Sequence, residues 1–459
     1  MSLARAFLGL GSTHPQAATL LEGALRGLEA AGVRVAAVAA PVSGPFVGPG
    51  GSVLAGAPPV LNSVAEVLTP LGPGALLELC LRLEQEAGRV RDGSAARSLD
   101  LDVLAVGEEV RAGPPALPHP RALERAFVLG PWEEVAPFAP VAGTGATVLA
   151  HAMRLRARAP QAFAALQPAA RLALPALGRR VQVLDDAQAL AAWRERQAGS
   201  VGVVPTMGAL HAGHAALVRR ARAESDAVLA TIFVNPLQFG PHEDFARYPR
   251  TFESDLAVLS EAGADAVYVP TAEDLYAPGF ASYVVPEGPA LGLEGERRPG
   301  HFRGVATVVL KLLLRARAQR AWFGRKDAQQ VAVVQRMVRD LDLPVQVVVG
   351  PTVKDDDGLA LSSRNRYLAP AERAAARALP RALDALQAAA AAGQHDVAAL
   401  VALGRQGLEA AGLGVDYLAV VDPASFAPQA RLGPQPSLAV ATVRCGSTRL
   451  LDNRWLLGA

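Results

Sequence analysis

The sequence predicts two folded parts of different class: an α+β domain of the ferredoxin-like type, then an α/β domain with a doubly wound parallel sheet and a small C-terminal α+β lid domain. Early in the chain, strand-like and helix-like segments follow the order β-α-β-β-α-β, which is typical of a ferredoxin-like sheet. Later segments alternate between strand and helix, which favours a parallel, doubly wound sheet. Residues 154–177 are rich in Ala, Arg and Pro without clear periodicity, which predicts a helical tail and a linker. The predicted parts are 1–160, a linker at 161–178, 179–355 and 356–459.

Six segments support the first domain. Strands are expected at residues 5–10, 33–39, 60–68 and 99–106, and helices at 15–30 and 74–88. The intervening stretch 41–59 is rich in Gly and Pro and is longer than a hairpin needs. Long loops on compact domains are often lids or binding loops, so we expect such a loop here.

The second part contains nine alternating segments before residue 355. Strands are expected at 201–204, 227–234, 266–269, 321–323 and 345–349, and helices at 214–224, 251–262, 305–317 and 328–341. After residue 355 the pattern changes to two Ala-rich helices followed by strands near 417–421, 438–444 and 449–451. This change of pattern predicts the small lid domain.

Charge and composition exclude some classes of function. The 459 residues include 45 Lys and Arg against 43 Asp and Glu, a net charge of +2, which argues against a nucleic-acid binder with a broad basic face. Cys80 and Cys445 are too far apart in sequence to indicate a disulfide framework or a zinc site. The N-terminus leads directly into a strand, and no run approaches the roughly 20 apolar residues of a membrane span. We therefore expect a cytoplasmic protein that binds neither nucleic acid nor membrane.

The sharpest motif is PTMGALHAGH at residues 205–214, which follows an apolar strand and begins a helix. His211 and His214 lie one helical turn apart at the helix N-terminus, where unpaired backbone N–H groups and the helix dipole favour phosphate. Gly208 and Gly213 allow the backbone to approach a nucleotide closely. An imidazole can donate a hydrogen bond to phosphate while carrying partial or full positive charge near neutral pH. The motif therefore predicts a phosphate-binding turn.

This motif resembles the His-containing signature of the nucleotidyltransferase superfamily, and six further segments resemble pantothenate synthetases. They are IFVNPLQFG (232–240), RYPRT (247–251), RPGHFRGVATVV (298–309), FGRKDAQQ (323–330), DGLALSSRN (357–365) and STRLLDN (447–453). They follow the order of that family from about residue 180 to the C-terminus. The resemblance implies a Rossmann-like nucleotidyltransferase fold and a ligase that joins pantoate to β-alanine through a pantoyl adenylate, with MgATP as the substrate that is cleaved to AMP and pyrophosphate.

The same resemblance implies the site residues. The implied catalytic residues are His211, His214, Lys326, Ser362, Ser363 and Arg364. The implied ATP contacts add Met207, Gly208, Ala209, Leu210, Ala212, Gly213, Gly324, Arg325, Asp327, Val353 and Leu361. Gln238 and Gln330 are implied to hold pantoate or β-alanine, because amides both donate and accept hydrogen bonds. His301 and Arg303 are expected to shape the pantoate pocket without taking part in catalysis. Arg325 departs from the family, which usually has an acid at that position.

In the first domain, RSLDLDVL at residues 97–104 places Asp100 and Asp102 two apart on a strand, so that their carboxylates share a face. Paired carboxylates together with substrate phosphates are a usual way to hold Mg²⁺. With GLGST (9–13), LRLEQEAGRVR (81–91) and LPHPR (117–121), this segment resembles 6-hydroxymethyl-7,8-dihydropterin pyrophosphokinase over residues 4–159. The resemblance implies transfer of pyrophosphate from ATP to the hydroxymethyl group of the pterin, and two magnesium ions bound by Asp100 and Asp102.

Further residues of the first domain are assigned by this resemblance alone. It implies that Asn62 and Phe127 hold the pterin and that the nucleotide is bound by Glu84, Arg89, Arg91, Arg97, His119 and Arg125. Residues 91–97 form a shorter stretch than the family has, and the tryptophan and basic residue expected there are missing. The Gly- and Pro-rich loop lacks the threonine and tyrosine that the family uses, with Gly44 and Val60 roughly in their places. Two interpretations stay open: a working kinase, or a degenerate docking or oligomerisation module.

Alternatives also stay open for the second part. A nucleotidyltransferase that passes AMP or CMP to a phosphate acceptor would share the phosphate-binding turn, although Gln238 and Gln330 argue for a carboxylate substrate. A tRNA-charging enzyme would need an anticodon-binding appendage, which the sequence does not reveal. The family resemblance also implies a homodimer through the ligase half.

Overall fold

The computed structural model describes residues 3–45, 58–89, 98–170, 172, 181–241 and 243–457. Its contacts divide the chain into two compact units, 1–175 with 354–358 and 176–353 with 359–459. Among the described residues, no helix combines the length and the apolar composition that a membrane crossing requires.

The first unit is built around an antiparallel sheet. Its strands are β1 (Ala4–Ser12), β2 (Arg34–Val38), β3 (Val42–Gly44), β4 (Val60–Thr69), β5 (Asp100–Val106), β6 (Pro140–Val141), β7 (Ala146–Thr147) and β8 (Gln167–Pro168). Its helices are α1 (Ala17–Ala30), α2 (Pro73–Glu86), α3 (Ala126–Val135), α4 (Val148–Arg158) and α5 (Pro160–Ala164). The strands pair in the order β5-β1-β4-β3-β8, with β2 also on β4, while β6 and β7 form a separate ladder.

Two apolar cores lie on the two faces of this sheet. Leu8 and Leu10 of β1 pack with α1 and α2 through residues such as Leu25 and Leu79. Phe7, one position along the strand and therefore on the opposite face, packs against Trp132 of α3 with ring centroids 5.3 Å apart. The predicted order of six elements is present, and α3 to α5 with the short strands β3, β6, β7 and β8 are additional.

The second unit contains a parallel sheet and a separate antiparallel one. The parallel sheet has β9 (Gln182–Leu184), β10 (Val201–Thr206), β11 (Ala227–Ile232), β12 (Ala266–Tyr268), β13 (Arg320–Gly324) and β14 (Gln346–Gly350), in the order β14-β13-β10-β11-β12-β9. The helices around it are α6 (Ala187–Glu195), α7 (Ala212–Glu224), α8 (Phe252–Ala262), α9 (Ala272–Leu275), α10 (Leu293–Arg297), α11 (His301–Ala316) and α12 (Ala328–Asp340). Every pair of neighbouring strands in this sheet is parallel, which confirms the predicted α/β class.

The chain ends in a smaller α+β layer. It contains α13 (Pro370–Ala376), α14 (Ala378–Ala391), α15 (Val397–Ala410), β15 (Gly414–Val421), β16 (Ser437–Cys445) and β17 (Thr448–Leu456). The strands pair antiparallel in the order β15-β16-β17, and Leu383 and Leu400 of the helices share one core with Val443 of the sheet. Three helices are present where the sequence predicted two.

Candidate active sites

The turn between β10 and α7 carries two residues with left-handed backbone: Gly208 at φ 82° and Ala209 at φ 50°. The carboxylate of Asp255, which is 1% exposed, accepts hydrogen bonds from the N–H groups of Ala209 (3.0 Å) and Leu210 (2.8 Å). A Cβ at position 208 would come within 3.1 Å of Asp255 Oδ2, so the turn leaves little room for a larger residue. Asp255 therefore occupies the N–H groups of Ala209 and Leu210, two residues that the family resemblance assigned to ATP. Sequence reasoning did not identify Asp255.

The two histidines of the motif cap the helix that follows. His211 is the N-cap of α7, and its Nδ1 accepts from the N–H of Gly213 at 3.1 Å. His214 Nδ1 accepts from the N–H of His211 at 3.3 Å, and the two rings lie 4.1 Å apart. Since both Nδ1 atoms accept, a neutral ring carries its proton on Nε2.

Burial, together with the nearby Lys326, lowers the pKa of His214 to about 4 despite the opposing charge of Asp327. His214 is therefore a neutral hydrogen-bond donor at neutral pH. Of the forms that the sequence allowed for such an imidazole, the lowered pKa favours the neutral one.

Lys326 lies in the short 3-10 turn Arg325–Asp327 after β13. Its Nζ is 3.3 Å from Asp327 Oδ1. Asn453 of β17 donates from Nδ2 to the carbonyls of Arg325 (3.0 Å) and Lys326 (2.9 Å). The C-terminal sheet thus fixes the backbone of the turn that carries the lysine.

Arg364 belongs, with Ser362 and Ser363, to the residues that the family resemblance implies are catalytic. Its guanidinium forms a two-point ion pair with Asp244, Nε to Oδ2 at 3.0 Å and Nη2 to Oδ1 at 2.9 Å. The pair raises the pKa of Arg364 and lowers that of Asp244, although burial opposes both shifts. A phosphate would compete with Asp244 for this guanidinium.

Gln238 is 9% exposed, and its backbone is held firmly. Its carbonyl accepts from Nδ1 of His301 at 2.9 Å and from Arg298 at 3.3 Å, and Arg298 in turn makes two 2.6 Å bonds to Glu243. His301 Nε2 lies 3.1 Å from Arg298 Nη1 and so accepts from it. Burial and Arg298 lower the pKa of His301 to about 4, so this ring is also neutral.

One cavity of about 250 Å³ brings most of the predicted residues together. From the predicted ligase set it is lined by Met207, His211, Gly213, His214, Gln238, Gly324, Lys326, Asp327, Gln330, Val353, Leu361, Ser362, Ser363 and Arg364. The predicted residues outside its lining are Gly208, Ala209, Leu210, Ala212 and Arg325. His301 lines the cavity too, whereas Arg303 is exposed, with its guanidinium 4.5 Å from the ring centre of Tyr283.

In the first unit, strand register aligns the polar residues of the metal motif. Gly11 of β1 lies opposite Asn62 of β4 and opposite Asp100 of β5, and Gly9 lies opposite Asp102. Opposed residues of an antiparallel pair share a face of the sheet. The side chains on the face of Gly9 and Gly11 are therefore those of Asn62, Asp100 and Asp102. Phe7 lies on this side as well, together with α3, whose first turn carries Phe127 beside the N-cap residue Arg125.

The two carboxylates differ in their surroundings. Asp100 accepts from Arg89 at 2.6 Å, and Arg89 also pairs with Glu84, which is 3% exposed and accepts from the N–H of Leu101 at 2.8 Å. The side chain of Asp102 is 38% exposed, and its Oδ1 lies 3.9 Å from His119 Nε2. Burial lowers the pKa of His119, although Asp102 opposes the shift.

In the described ranges, with Arg91 and Arg97 outside them, no group of three or more His, Cys, Asp or Glu is placed to hold a metal. Two carboxylates on one face fit Mg²⁺ only when phosphate oxygens and water complete the coordination, which is how that ion is commonly bound. Asp102 and His119 also line an open groove of about 370 Å³ with the loop 112–120.

Comparison with known proteins finds one matching family for each part of the chain. Residues 180–455, more than half of the chain, match the family model of pantoate-beta-alanine ligase, and residues 7–137 match that of 7,8-dihydro-6-hydroxymethylpterin-pyrophosphokinase. The pantothenate synthetase of Herpetosiphon aurantiacus is 52% identical over 259 residues, which is 56% of this chain and 94% of that protein. The crystal structure of pantothenate synthetase from Thermus thermophilus is 49% identical with a TM-score of 0.57, covering 60% of this chain and 99% of that one.

A pantoate-beta-alanine ligase from Francisella tularensis, solved in complex with beta-gamma ATP and beta-alanine, is 31% identical with a TM-score of 0.51 and covers 60% of this chain and 97% of that one. The parallel sheet and the cavity both lie in the second unit, and the match to the ligase family spans residues 180–455. The chain belongs to the pantoate-beta-alanine ligase family.

Proposed function

We propose that the second unit condenses pantoate with β-alanine at the expense of ATP. The observation that carries this proposal is the single cavity shared by His214, Lys326, Gln238, Gln330 and the segment 362–364 in a unit that matches the ligase family. In the first step a carboxylate oxygen of pantoate attacks the α-phosphorus, and the bond to pyrophosphate breaks. In the second step the deprotonated amine of β-alanine attacks the acyl carbon, AMP leaves and pantothenate is formed.

Charged and neutral residues of the cavity contribute to this reaction in different ways. Joining a carboxylate to a phosphate brings two anions together, so fixed positive charge and positioning supply most of the catalysis. Lys326 provides a compact ammonium on an anchored turn, and Arg364 provides a planar guanidinium once phosphate replaces Asp244. Neutral His214 contributes a hydrogen bond from Nε2–H, which stabilises phosphate oxygens without a proton transfer.

We also propose the finer features of the fold and assembly. The domain boundaries 1–160, 179–355 and 356–459 remain our assignment, with a ferredoxin-like fold for the first domain and a Rossmann-like fold for the second; the element orders support both names. The family resemblance supports a cytoplasmic homodimer that forms through the ligase unit. Sedimentation of the purified chain tests the dimer.

For the first unit we propose pyrophosphoryl transfer from ATP to the hydroxymethyl group of a dihydropterin, with release of AMP. Asn62, Asp100 and Asp102 on one sheet face and Phe127 on the helix above that face support this proposal. Asp100 and Asp102 would hold magnesium, which would neutralise the triphosphate charge. A degenerate docking module is the second candidate, because Arg89 already engages Asp100.

Paired assays on the purified full-length chain test both proposals. Pantoate-dependent release of pyrophosphate from ATP, together with AMP formation that requires β-alanine for turnover, is expected from the ligase unit. A phosphorylated acceptor in place of pantoate would support release only if the rival nucleotidyltransferase interpretation were right. For the first unit, AMP formation that depends on hydroxymethyldihydropterin is expected, and the docking module would neither bind the pterin in calorimetry nor form AMP.

A further inference from the structure

The side chain of Asn235 connects the candidate pantoate pocket to a tyrosine outside it. Asn235 is 1% exposed and uses both ends of its amide. Its Oδ1 accepts from the hydroxyl of Tyr276 at 2.8 Å and from the N–H of Leu237 at 3.2 Å. Its Nδ2 donates to the carbonyl of Gly304 at 3.1 Å and to Oε1 of Gln238 at 3.2 Å.

These four bonds fix the orientation of the amide. A backbone N–H can only donate and a backbone carbonyl can only accept, so Leu237 identifies the oxygen end of Asn235 and Gly304 identifies its nitrogen end. A flipped amide would face both partners with the wrong group. The nitrogen of Asn235 therefore must point to Gln238.

The orientation of Gln238 follows from that of Asn235. Because Oε1 of Gln238 accepts from Asn235, its NH₂ group lies on the other side, where Nε2 is 2.9 Å from the sulfur of Met207. Met207 and Gln238 both line the cavity. A thioether is a weak acceptor, so an oxygen of a bound ligand takes these N–H groups readily.

We propose that Tyr276 is a positioning residue that acts through Asn235 to hold Gln238 with its donor side toward the substrate. The pocket then selects an acceptor oxygen, such as the carboxylate or a hydroxyl oxygen of the acid substrate, at that point. This inference rests on the proposed ligase function and deepens it, since Tyr276 lies outside the lining of the cavity.

The surroundings of Tyr276 suit it to this task. It follows α9 directly, and its ring lies against Phe280, with centroids 5.0 Å apart, and against Phe233, with centroids 6.2 Å apart. Burial raises the pKa of the Tyr276 phenol, with a smaller contribution from Tyr283, so that its hydroxyl stays protonated and can donate. Phe233 also lines the cavity, so the aromatic cluster sets the distance between the tyrosine and the pocket.

The test compares Tyr276→Phe with Tyr283→Phe in the full-length chain. Tyr283 is a matched control, because it belongs to the same aromatic cluster but is 40% exposed and is not bonded to Asn235. Removing one neutral hydrogen bond is expected to raise the KM for pantoate about 3- to 10-fold in Tyr276→Phe. The KM for ATP and kcat should stay within about twofold in both variants, as should the KM for pantoate in Tyr283→Phe.

A double-variant cycle separates positioning from general loosening. In a Gln238→Ala background there is no amide to orient, so Tyr276→Phe should change the KM for pantoate by less than about twofold. The proposal is overturned if Tyr276→Phe raises the KM for pantoate equally in the wild-type and Gln238→Ala backgrounds. It is also overturned if Tyr276→Phe alone leaves this KM unchanged. A wild-type chain that forms no pantothenate refutes the proposed function instead, and that outcome is seen before any variant is made.

Discussion

The two candidate sites differ in where their positive charge comes from. In the ligase unit, the protein itself supplies Lys326 on a turn anchored by Asn453, and Arg364 held by Asp244. In the first unit, the carboxylates Asp100 and Asp102 share one face of the sheet, here called the acidic face, on which Arg89 pairs with Asp100. We therefore propose that a triphosphate binds the first site together with metal ions, whereas in the ligase unit Lys326 and Arg364 contact the phosphates directly.

The largest effect that this comparison predicts is on the acidic face. Asp100→Asn combined with Asp102→Asn should reduce pterin-dependent AMP formation to background, because neutral amides cannot hold magnesium against triphosphate charge. Ligase activity measured on the same preparation should be unchanged. Glu108→Gln with Glu109→Gln, two exposed acids just after β5, is the matched control and should keep full activity. A double Asp variant that retains half of its kinase rate would mean that the metal assignment is wrong.

Lys326 gives the next largest effect, now on the cationic site. Lys326→Ala should lower adenylate formation by about 10²- to 10⁴-fold, the scale of losing one preorganised charge in a transition state. Lys326→Arg should recover little, because a guanidinium is larger and planar where a compact ammonium approaches phosphate. Binding of pantoate and ATP should change far less than the rate.

Single-turnover quench measurements of pantoyl adenylate check this prediction. The chain has three lysines, and Lys311, whose Nζ lies 5.0 Å from the ring centre of Phe280, serves as the control. Lys311→Arg should leave adenylate formation within about twofold of wild type. Wild-type rates in Lys326→Arg would show that the scarcity of lysine in this chain carries no information about the site.

The comparison also shows what the sequence could predict. Strand, turn and helix around residues 201–224 follow from local pattern, and the structure begins α7 two residues before the prediction. The sequence does not predict the three-residue strand β9 and helix α6, which lie just after the unpatterned linker. It predicts two Ala-rich helices after residue 355 where the structure has three, and α13 and α14 are separated only at Arg377. Local sequence pattern predicts that a helix or strand is present, but it does not predict where one helix ends and the next begins inside a continuous Ala-rich stretch.

Sequence motifs predict residues of the turn and of the cavity, but they do not reveal the distant partners of those residues. Gly208 and His214 stand in one short motif, whereas Asp255 meets the amides of the same turn from 45 and 46 residues away. The orientation of the Gln238 amide depends on Asn235 and Tyr276, the latter 41 residues from Asn235. No local signal in the sequence marks such partners, because their role exists only after the helices have packed.

A smaller effect concerns acid stability, to which His301 of the ligase unit contributes. The pKa of buried His301 is lowered to about 4, so it is neutral when folded and regains an ordinary pKa when unfolded. Because the pKa of His301 is lower in the folded state than in the unfolded state, neutral His301 favours the folded state. This contribution to the free energy of unfolding is fully present above about pH 6.5 and is lost as the pH falls toward 4. Urea unfolding of the fragment 178–459 should therefore lose up to about 3 kcal/mol over this range from His301.

His301→Gln is the informative variant for this prediction, because glutamine can still donate to the carbonyl of Gln238 but does not titrate. Its loss of stability between about pH 6.5 and pH 4.5 should be visibly shallower than that of wild type. The half-buried His395→Gln serves as the control for replacing a histidine by glutamine. Parallel slopes for wild type and His301→Gln would show that other groups dominate the acid response.

The smallest expected effect comes from separating the two units. The apolar cores of the ligase unit are built from its own residues, such as Leu229 and Val309 around the parallel sheet and Leu383 and Val443 in the C-terminal layer. Units with their own cores usually fold alone. The fragment 178–459 should therefore be soluble, unfold cooperatively and form pantothenate within about twofold of the full-length rate. Circular dichroism and the pantoate-dependent assay on equal molar amounts of fragment and full chain measure this. An insoluble or inactive fragment beside an active full chain would show that the ligase unit depends on the first unit.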